Sequence, residues 1–284
     1  MIVKLFLTNV FADGLFSGGK AAVAILRHLG QEVFLQALAE EMALPVTAYV
    51  LPRQDRFVVR YFTPEKEVES ADYASLAAAC ALLNVGLTPP SKPVRLQGLG
   101  GVVSILPGRD SLAMALKRPV PGRLQPGQER ILADSLGLGA ADVLAVQTVE
   151  PDSVLICCRS QDILQRLTAS EVAAAGSEPR KRLVFSAPLT ADGVKGYVLR
   201  DFTASGEEGP PLNLAPHAVL APFWAERLGG GPLEVHRLSR RNALMWAELH
   251  GESVVHVSGK AQIIFKADPV MDELTGNLLP DLFF

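Results

Sequence analysis

The chain has 284 residues, and at ~150 residues per domain that length accommodates about two domains. Of its residues 49% are hydrophobic, 6% aromatic and 20% charged. Ala, Leu and Val therefore carry the apolar content, as in a well-packed chain of mixed helix and strand. The 27 basic and 30 acidic side chains leave a formal charge of −3, which offers no basic footprint for a polyphosphate backbone, so no nucleic-acid partner is expected. Cys80, Cys157 and Cys158 are too few for a disulfide framework, which fits a reducing, cytoplasmic location. Residues 1–9 lack the long apolar region of a signal peptide and read as a first strand. The strongly apolar stretches near 74–83 and 214–225 fall short of the ~20 residues that span a bilayer, so no membrane is expected.

In chain order, 31–44 places Phe34, Leu35, Leu38 and Met42 on one face and predicts an amphipathic helix. Residues 47–51 and 57–62, split by polar Arg53 to Arg56, predict a hairpin. The stretch 72–85 is apolar almost all round and stops at Gly86, as a helix buried on every side would. Strands are expected at 93–97, 102–106 and 111–116. The Pro- and Gly-rich segment 118–127 breaks both periodicities and reads as a domain boundary. Beyond it come an amphipathic helix at 128–138, strands at 143–148 and 153–157, and a helix near 161–175 that has no counterpart in the first half. Strands at 182–187 and 195–201 lead to a second apolar helix at 215–228, ending at Gly229-Gly230-Gly231, with Pro222 as a kink point. Strands at 233–238, 244–249, 253–257 and 261–266 follow. The repeated order predicts an α+β fold of two similar halves, 1–117 and 118–268, each wrapping a sheet around one buried helix, with the tail 269–284 packing back on the first half.

Several chemistries have no motif here. His28, His217, His236, His250 and His256 show no ligand spacing, and there is no His-Glu-x-x-His or Cys-x-x-Cys, so no metal is expected. Gly18-Gly19-Lys20 lacks the Ser/Thr of a phosphate loop. The Gly98 to Gly101 cluster is followed by a strand and reads as a hairpin turn, not a dinucleotide cradle. No Gly-x-Ser-x-Gly elbow marks a hydrolase. No cofactor is expected.

Five stretches carry a resemblance. Asn9 to Val23 is similar to an opening Val-Phe…Phe-x-Gly-Asn-Pro-Ala-Ala-Val; Glu41 to Tyr49 to Glu-Met-Asn-Leu-Ser-Glu-Thr-Ala-Phe; Phe62 to Ala79 to Phe-Thr-Pro-x-x-Glu-Val-Asp-Leu-Cys-Gly-His-Ala-Thr-Leu-Ala-Ala-Ala. His217 to Leu228 resembles the helix that follows Glu-Asp-Pro-x-Thr-Gly-Ser-Ala, and Leu238 to Leu244 a later Ser-x-Arg-Gly-Gly motif. In order and over nearly the whole chain, these stretches resemble the PhzF-like phenazine-biosynthesis isomerases, relatives of diaminopimelate epimerase. The resemblance implies two pseudo-symmetric domains, each a barrel-like sheet around a central helix, an active site in the cleft between them, and a homodimer.

In that family a glutamate shuttles a proton, aided by a histidine and an aspartate. By the resemblance, Val46 stands for the glutamate, Asp72-Tyr73 for the Gly-His pair, Pro210 for the aspartate, Asn213-Leu214-Ala215 for Thr-Gly-Ser, and Gly19-Lys20 for Asn-Pro. Neither cysteine of the epimerase branch has a match. Valine accepts no proton, and loss of a positioned base typically forfeits about 10²–10⁴-fold in rate, roughly 3–5 kcal/mol of barrier.

The candidate catalytic residues are Tyr73, as a hydrogen-bond donor, and Asp72, which is otherwise an N-cap. Candidate substrate-binding residues are Val46, Gly18, Gly19, Lys20, Ser75, Pro210, Leu212, Asn213 and Leu214. Glu207 and Glu208 read as exposed loop acids, one of which an alignment slip would put in the aspartate's place. Arg240-Arg241 reads as a solvated strand end, His217 as structural, and Cys80 as a small hydrophobe. The favoured expectation is a cofactor-independent isomerase or cyclase of secondary metabolism, holding a largely apolar small molecule in an apolar cleft without a glutamate base. Against it stand an isomerase with relocated acid and base groups, and a ligand-binding protein without catalysis.

Overall fold

The computed structural model describes residues 2–54, 56–149, 153–175, 182–191, 193–203, 205–209 and 213–268. In chain order its elements are β1 (Ile2–Val10), β2 (Gly19–Leu26), α1 (Glu32–Met42), β3 (Thr47–Pro52), β4 (Phe57–Phe62), β5 (Glu67–Val68), α2 (Asp72–Asn84), β6 (Val94–Gly98), β7 (Gly101–Pro107), β8 (Leu112–Lys117), α3 (Gln128–Ser135), β9 (Val143–Val149), β10 (Ser153–Cys158), α4 (Gln161–Arg166), α5 (Ala169–Ala174), β11 (Arg182–Pro188), β12 (Gly196–Phe202), α6 (His217–Leu228), β13 (Leu233–Arg237), β14 (Ala243–His250), β15 (Val254–Gly259) and β16 (Ala261–Ala267). The fold is mixed helix and strand, mostly sheet. Among the described residues no helix is long and apolar enough to cross a membrane.

Contacts divide the chain into two units. Unit 1 holds the chain up to Val10, Lys20–Gly108 and the described residues from Ala261 on; unit 2 holds Phe11–Gly19 and Arg109–Lys260. In unit 1 the strands lie in the order β16-β1-β2-β3-β4-β6-β7, with β5 on β4. The pairs β2/β3 and β4/β6 are parallel, the first crossing over through α1 and the second through α2. Helix α2 packs on β1, β3, β7 and β16, and its Ala-rich sequence gives both high helix propensity and a slim cylinder that a sheet can enclose. It stops where Gly86 takes a left-handed φ of 72, while Gly86 N–H bonds Leu83 O and Leu87 N–H bonds Leu82 O. That is a Schellman end.

Unit 2 repeats this plan in the order β8-β15-β14-β13-β12-β11-β10-β9. Here β10/β11 and β12/β13 are the parallel pairs, crossing over through α4 with α5 and through α6. Helix α6 packs on β12, β14 and β15. The expected helix at 161–175 is therefore two helices, and it does have a counterpart: it occupies the place of α1. Thr168 separates them, because its side chain and that of Glu171 form a reciprocal capping box that starts α5 afresh. Helix α6 begins at His217, two residues later than expected, and runs through Pro222 in its second turn to Leu228.

The unit limits also differ from a division at 117/118. Strand β8 pairs with β15, and β16 with β1, so 109–117 belongs with unit 2 and 261–267 with unit 1. Pro and Gly mark where strands end, not which strands they pair with. Strand β2 lies in a segment read only through the family motif. The tail 269–284 lies outside the described residues.

Register makes the repeat concrete. Thr47 opposes Phe62 and Tyr49 opposes Arg60 in β3/β4; Leu183 opposes Phe202 and Phe185 opposes Arg200 in β11/β12. The sequence carries the trace Arg60-Tyr61-Phe62-Thr63 and Arg200-Asp201-Phe202-Thr203. In each unit the arginine lies over its phenylalanine, at 5.0 and 4.8 Å. It also pairs with a glutamate beyond the strand, Glu67 or Glu208. An edge-to-face ring contact backs each one, Tyr49 with Phe62 and Phe185 with Phe202.

Candidate functional site

In unit 1 the end of the α1–β3 connection and the start of α2 supply the sequence-derived candidates. Val46 is 6% exposed just before β3, and its carbonyl accepts from Ala22 N–H at 3.2 Å. Its side chain offers hydrocarbon only. Asp72 is the first helical residue of α2 and half-buried; the N-cap is Ala71, with an extended φ of −152. The capping reading of Asp72 is thereby corrected: its carboxylate sits one position inside the helix, where the first turn's partial positive charge favours an anion.

Tyr73 is 5% exposed. Its hydroxyl has no hydrogen-bond partner among the described residues, although an unsatisfied buried hydroxyl costs about 1–3 kcal/mol. Burial pushes its pKa up, which keeps the phenol protonated and makes it a donor. Thr47 Oγ1 is likewise buried without a partner. Ser75 differs: its hydroxyl lies 2.6 Å from Tyr61 Oη and donates to Ala71 O at 3.0 Å. Ser75 therefore closes the first turn of α2, and its donor is taken. Lys20 is half-buried in β2 and Gly19 is buried.

In unit 2, Gly18 does not present a free backbone. Its N–H donates to Asn242 O at 2.8 Å, and its carbonyl accepts from Arg241 Nε at 3.0 Å. Arg241, expected as a solvated strand end, is half-buried and also reaches Ser17 O at 3.1 Å; Arg240 is exposed. Leu214 is fully buried and belongs to the core. Asn213 accepts from Ala215 N–H at 3.0 Å through Oδ1, turning the chain into α6. Glu208 is held by Arg200 at 3.0 Å, so it is no free base. Pro210 and Leu212 lie outside the described residues.

The same unit contains a buried polar cluster that sequence reading missed. Asp201 bridges two guanidiniums: Oδ2 accepts from Arg182 Nη2 and Oδ1 from Arg237 Nε, each at 2.7 Å. Arg237 also donates to Gly209 O and Ser239 Oγ. Beside the cluster His217 is 1% exposed, its Nδ1 2.7 Å from Tyr197 Oη. Burial, with Arg237 adding to it against Asp201, lowers its pKa to about 4. Trp224 in α6 donates to Ser186 Oγ at 2.8 Å. The one available signal was the Arg-x-Phe-Thr repeat, which sets Asp201 opposite a tyrosine in the other half. Cys80 bonds Ala261 O weakly, and burial raises its pKa to about 11, which leaves it an inert thiol. Among the described residues no three His, Cys, Asp or Glu side chains gather where they would hold a metal.

The profile of the PhzC-PhzF family, described as phenazine biosynthesis-like protein, matches residues 8–267. An uncharacterized isomerase of Pseudomonas aeruginosa is 32% identical over 266 residues, covering 93% of this chain and 97% of that one. The chain belongs to the PhzC-PhzF family. A PhzF-family protein from Enterococcus faecalis superposes with a TM-score of 0.80 at 21% identity, covering 95% of this chain and all of its own. A probable proline racemase from Agrobacterium radiobacter superposes at 0.58 and 11% identity, covering 95% of this chain and 93% of its own. Both share the fold, which confirms the epimerase-like architecture expected from the family motifs. Membership makes this a PhzF-like isomerase-family chain; the residues that do the work are a separate question.

Proposed function

We propose that this PhzF-like chain is a cofactor-independent isomerase or cyclase of secondary metabolism that turns over a small, largely apolar molecule without a carboxylate base at position 46. The observation that carries the reading is the Tyr73 hydroxyl, buried at the start of α2 with no partner among the described residues. Such a group is stabilised when a substrate oxygen accepts from it, and a donor in a dry site is worth more than one in water. Val46 supplies apolar surface beside β3. Asp72, in the first turn of α2, orients or polarises the substrate. Lys20, Gly19 and Asn213 remain candidate contacts, and Pro210 and Leu212 are carried over from the family motif alone. A cytoplasmic setting agrees with three free thiols, and a homodimer is the family expectation, read by light scattering.

The test is turnover in D₂O. A base-driven isomerase exchanges a substrate C–H with solvent, whereas a rearrangement or cyclisation driven by shape and hydrogen bonding does not. We expect product without deuterium at carbon, and only a modest loss on Asp72→Asn. Stoichiometric deuterium, abolished by Asp72→Asn, would establish Asp72 as a relocated base. Tight retention of a metabolite without turnover would leave a binding protein.

A further inference from the structure

At the end of α2 remote from Tyr73, unit 1 holds an open cavity of about 500 Å³, a size that suits a small molecule. The 13 residues of α2, at 1.5 Å each, put roughly 20 Å of helix between the two ends. Three segments build the cavity: the β3–β4 turn, the loop after α2, and β6. Each is fixed by its own backbone. Arg53 N–H bonds Arg56 O at 2.9 Å, Leu87 N–H bonds Leu82 O at 3.0 Å, and Lys92 N–H bonds Pro89 O at 3.2 Å. Strand β6 is held by β4, with Phe57 opposite Leu96.

Four of the lining side chains are cations: Arg53, Arg56, Lys92 and Arg95, all exposed. No acidic side chain lines the cavity among the described residues, and the sequence has no Asp or Glu between Asp72 and Asp110. Asp55, in the β3–β4 turn, lies outside the described residues and is one acid against the four cations. In a chain whose acids outnumber its bases, 30 to 27, this groove reverses the balance. Like charges gathered in one groove repel, and a bound polyanion relieves that repulsion. The same walls carry apolar surface: Phe57 is half-buried and Leu87 is 46% exposed.

We propose that this cavity binds a small soluble organic polyphosphate, its phosphates on the four cations and its apolar part against Phe57 and Leu87. Three features select the ligand class. Arginines dominate the cations, and their planar forks take phosphate oxygens in pairs. Four positive charges match several negative ones better than a single one. The apolar wall gives a ring or alkyl group a place that inorganic phosphate leaves empty. A nucleic-acid strand fits less well, because four cations in one groove make no extended basic face. The proposal is independent of the isomerase reading, which rests on Tyr73 at the other end of α2.

ATP without magnesium is the probe, titrated into the full chain by calorimetry at about 0.15 M ionic strength, where diffuse attraction is screened. Saturable one-to-one binding is expected, with tripolyphosphate weaker and adenosine without effect. Arg53→Gln with Arg95→Gln should weaken ATP about tenfold or more, the loss of two charged contacts. Arg123→Gln with Arg130→Gln, the same change of charge on exposed residues of unit 2, should leave it unchanged. No ATP binding, or equal loss in both double variants, overturns the proposal. Tripolyphosphate as tight as ATP contradicts the role of the apolar wall. An oligonucleotide that displaces ATP at lower phosphate concentration, or vesicles of a bisphosphorylated inositol lipid that bind where ATP does not, would refute a small soluble ligand. The ligand-free Arg53/Arg95 variant should melt no lower than wild type; a lower midpoint would show that these arginines serve the fold, against the proposal. Turnover plays no part in these readouts, so failure here leaves the proposed activity standing.

Discussion

Two strand pairs with the same register, β3/β4 and β11/β12, feed two central helices, yet the residues they aim at those helices differ in kind. In unit 1, Tyr61 reaches Ser75 in the first turn of α2 through hydroxyls alone. At the matching place in unit 2, Asp201 holds Arg182 and Arg237 beside His217 in the first turn of α6. One half closes its helix with neutral hydrogen bonds and the other with a charged lattice. The shell is identical in plan: arginine over phenylalanine, ion-paired to a following glutamate. A duplicated scaffold thus keeps its outer clamp, while the inward residue at one position, Tyr61 or Asp201, decides whether the core beneath tolerates charge.

The largest effect expected from breaking this comparison is at Asp201. Asp201→Asn keeps the shape but leaves two largely buried guanidiniums without their carboxylate, which should cost about 3–5 kcal/mol, measured by urea denaturation. A cost near that of an exposed pair, below about 1 kcal/mol, would show that the lattice is not what closes unit 2.

Next comes pH. His217 has a folded pKa lowered to about 4 from 6.5, chiefly by burial. Between those values the unfolded chain binds the proton and the folded one does not. The stabilisation is therefore complete above about pH 6.5 and is lost as pH falls toward 4, with a steepest slope of about 1.4 kcal/mol per pH unit from this group. His217→Gln should flatten the profile in that window. Ser75, in the first turn of α2, does not titrate, so Ser75→Ala should leave the slope unchanged.

Smaller still is Tyr61→Phe, which removes one hydrogen bond to Ser75 and should cost about 1 kcal/mol. No loss on thermal denaturation would mean that Ser75 is satisfied by Ala71 O alone.

Most elements were legible because each carries a local signal, in composition, periodicity or a stop residue. The all-round apolar run at 72–85 and Gly86 define α2, and the β-rich run at 57–62 after polar Arg53 to Arg56 defines β4. The unit limits were not legible, since β8 with β15 and β16 with β1 are partners remote in sequence. The two helices at 161–175 were seen as one because a Thr168 capping box looks, by apolar spacing alone, like continued helix. Tyr73 is legible through the family motif, and the structure adds that its hydroxyl has no partner among the described residues. The lattice at Asp201 stayed hidden: a strand segment such as Arg200-Asp201-Phe202 reads as ordinary alternation, and Arg182 and Arg237 lie on other strands. Ser75, Gly18 and Leu214, singled out as substrate contacts by position in a motif, prove to have structural duties that spacing does not reveal.

The central claim is that the Tyr73 hydroxyl is held ready for a ligand and not for the fold, and a single stability measurement on Tyr73→Phe tests it most directly. Because the hydroxyl is buried without a partner among the described residues, its removal should leave the ligand-free protein as stable as wild type or more stable by about 1 kcal/mol, while substrate turnover or metabolite retention falls. A loss of 1 kcal/mol or more in urea denaturation of the ligand-free variant, comparable to Tyr61→Phe, would contradict the account by showing that the hydroxyl already serves the folded chain.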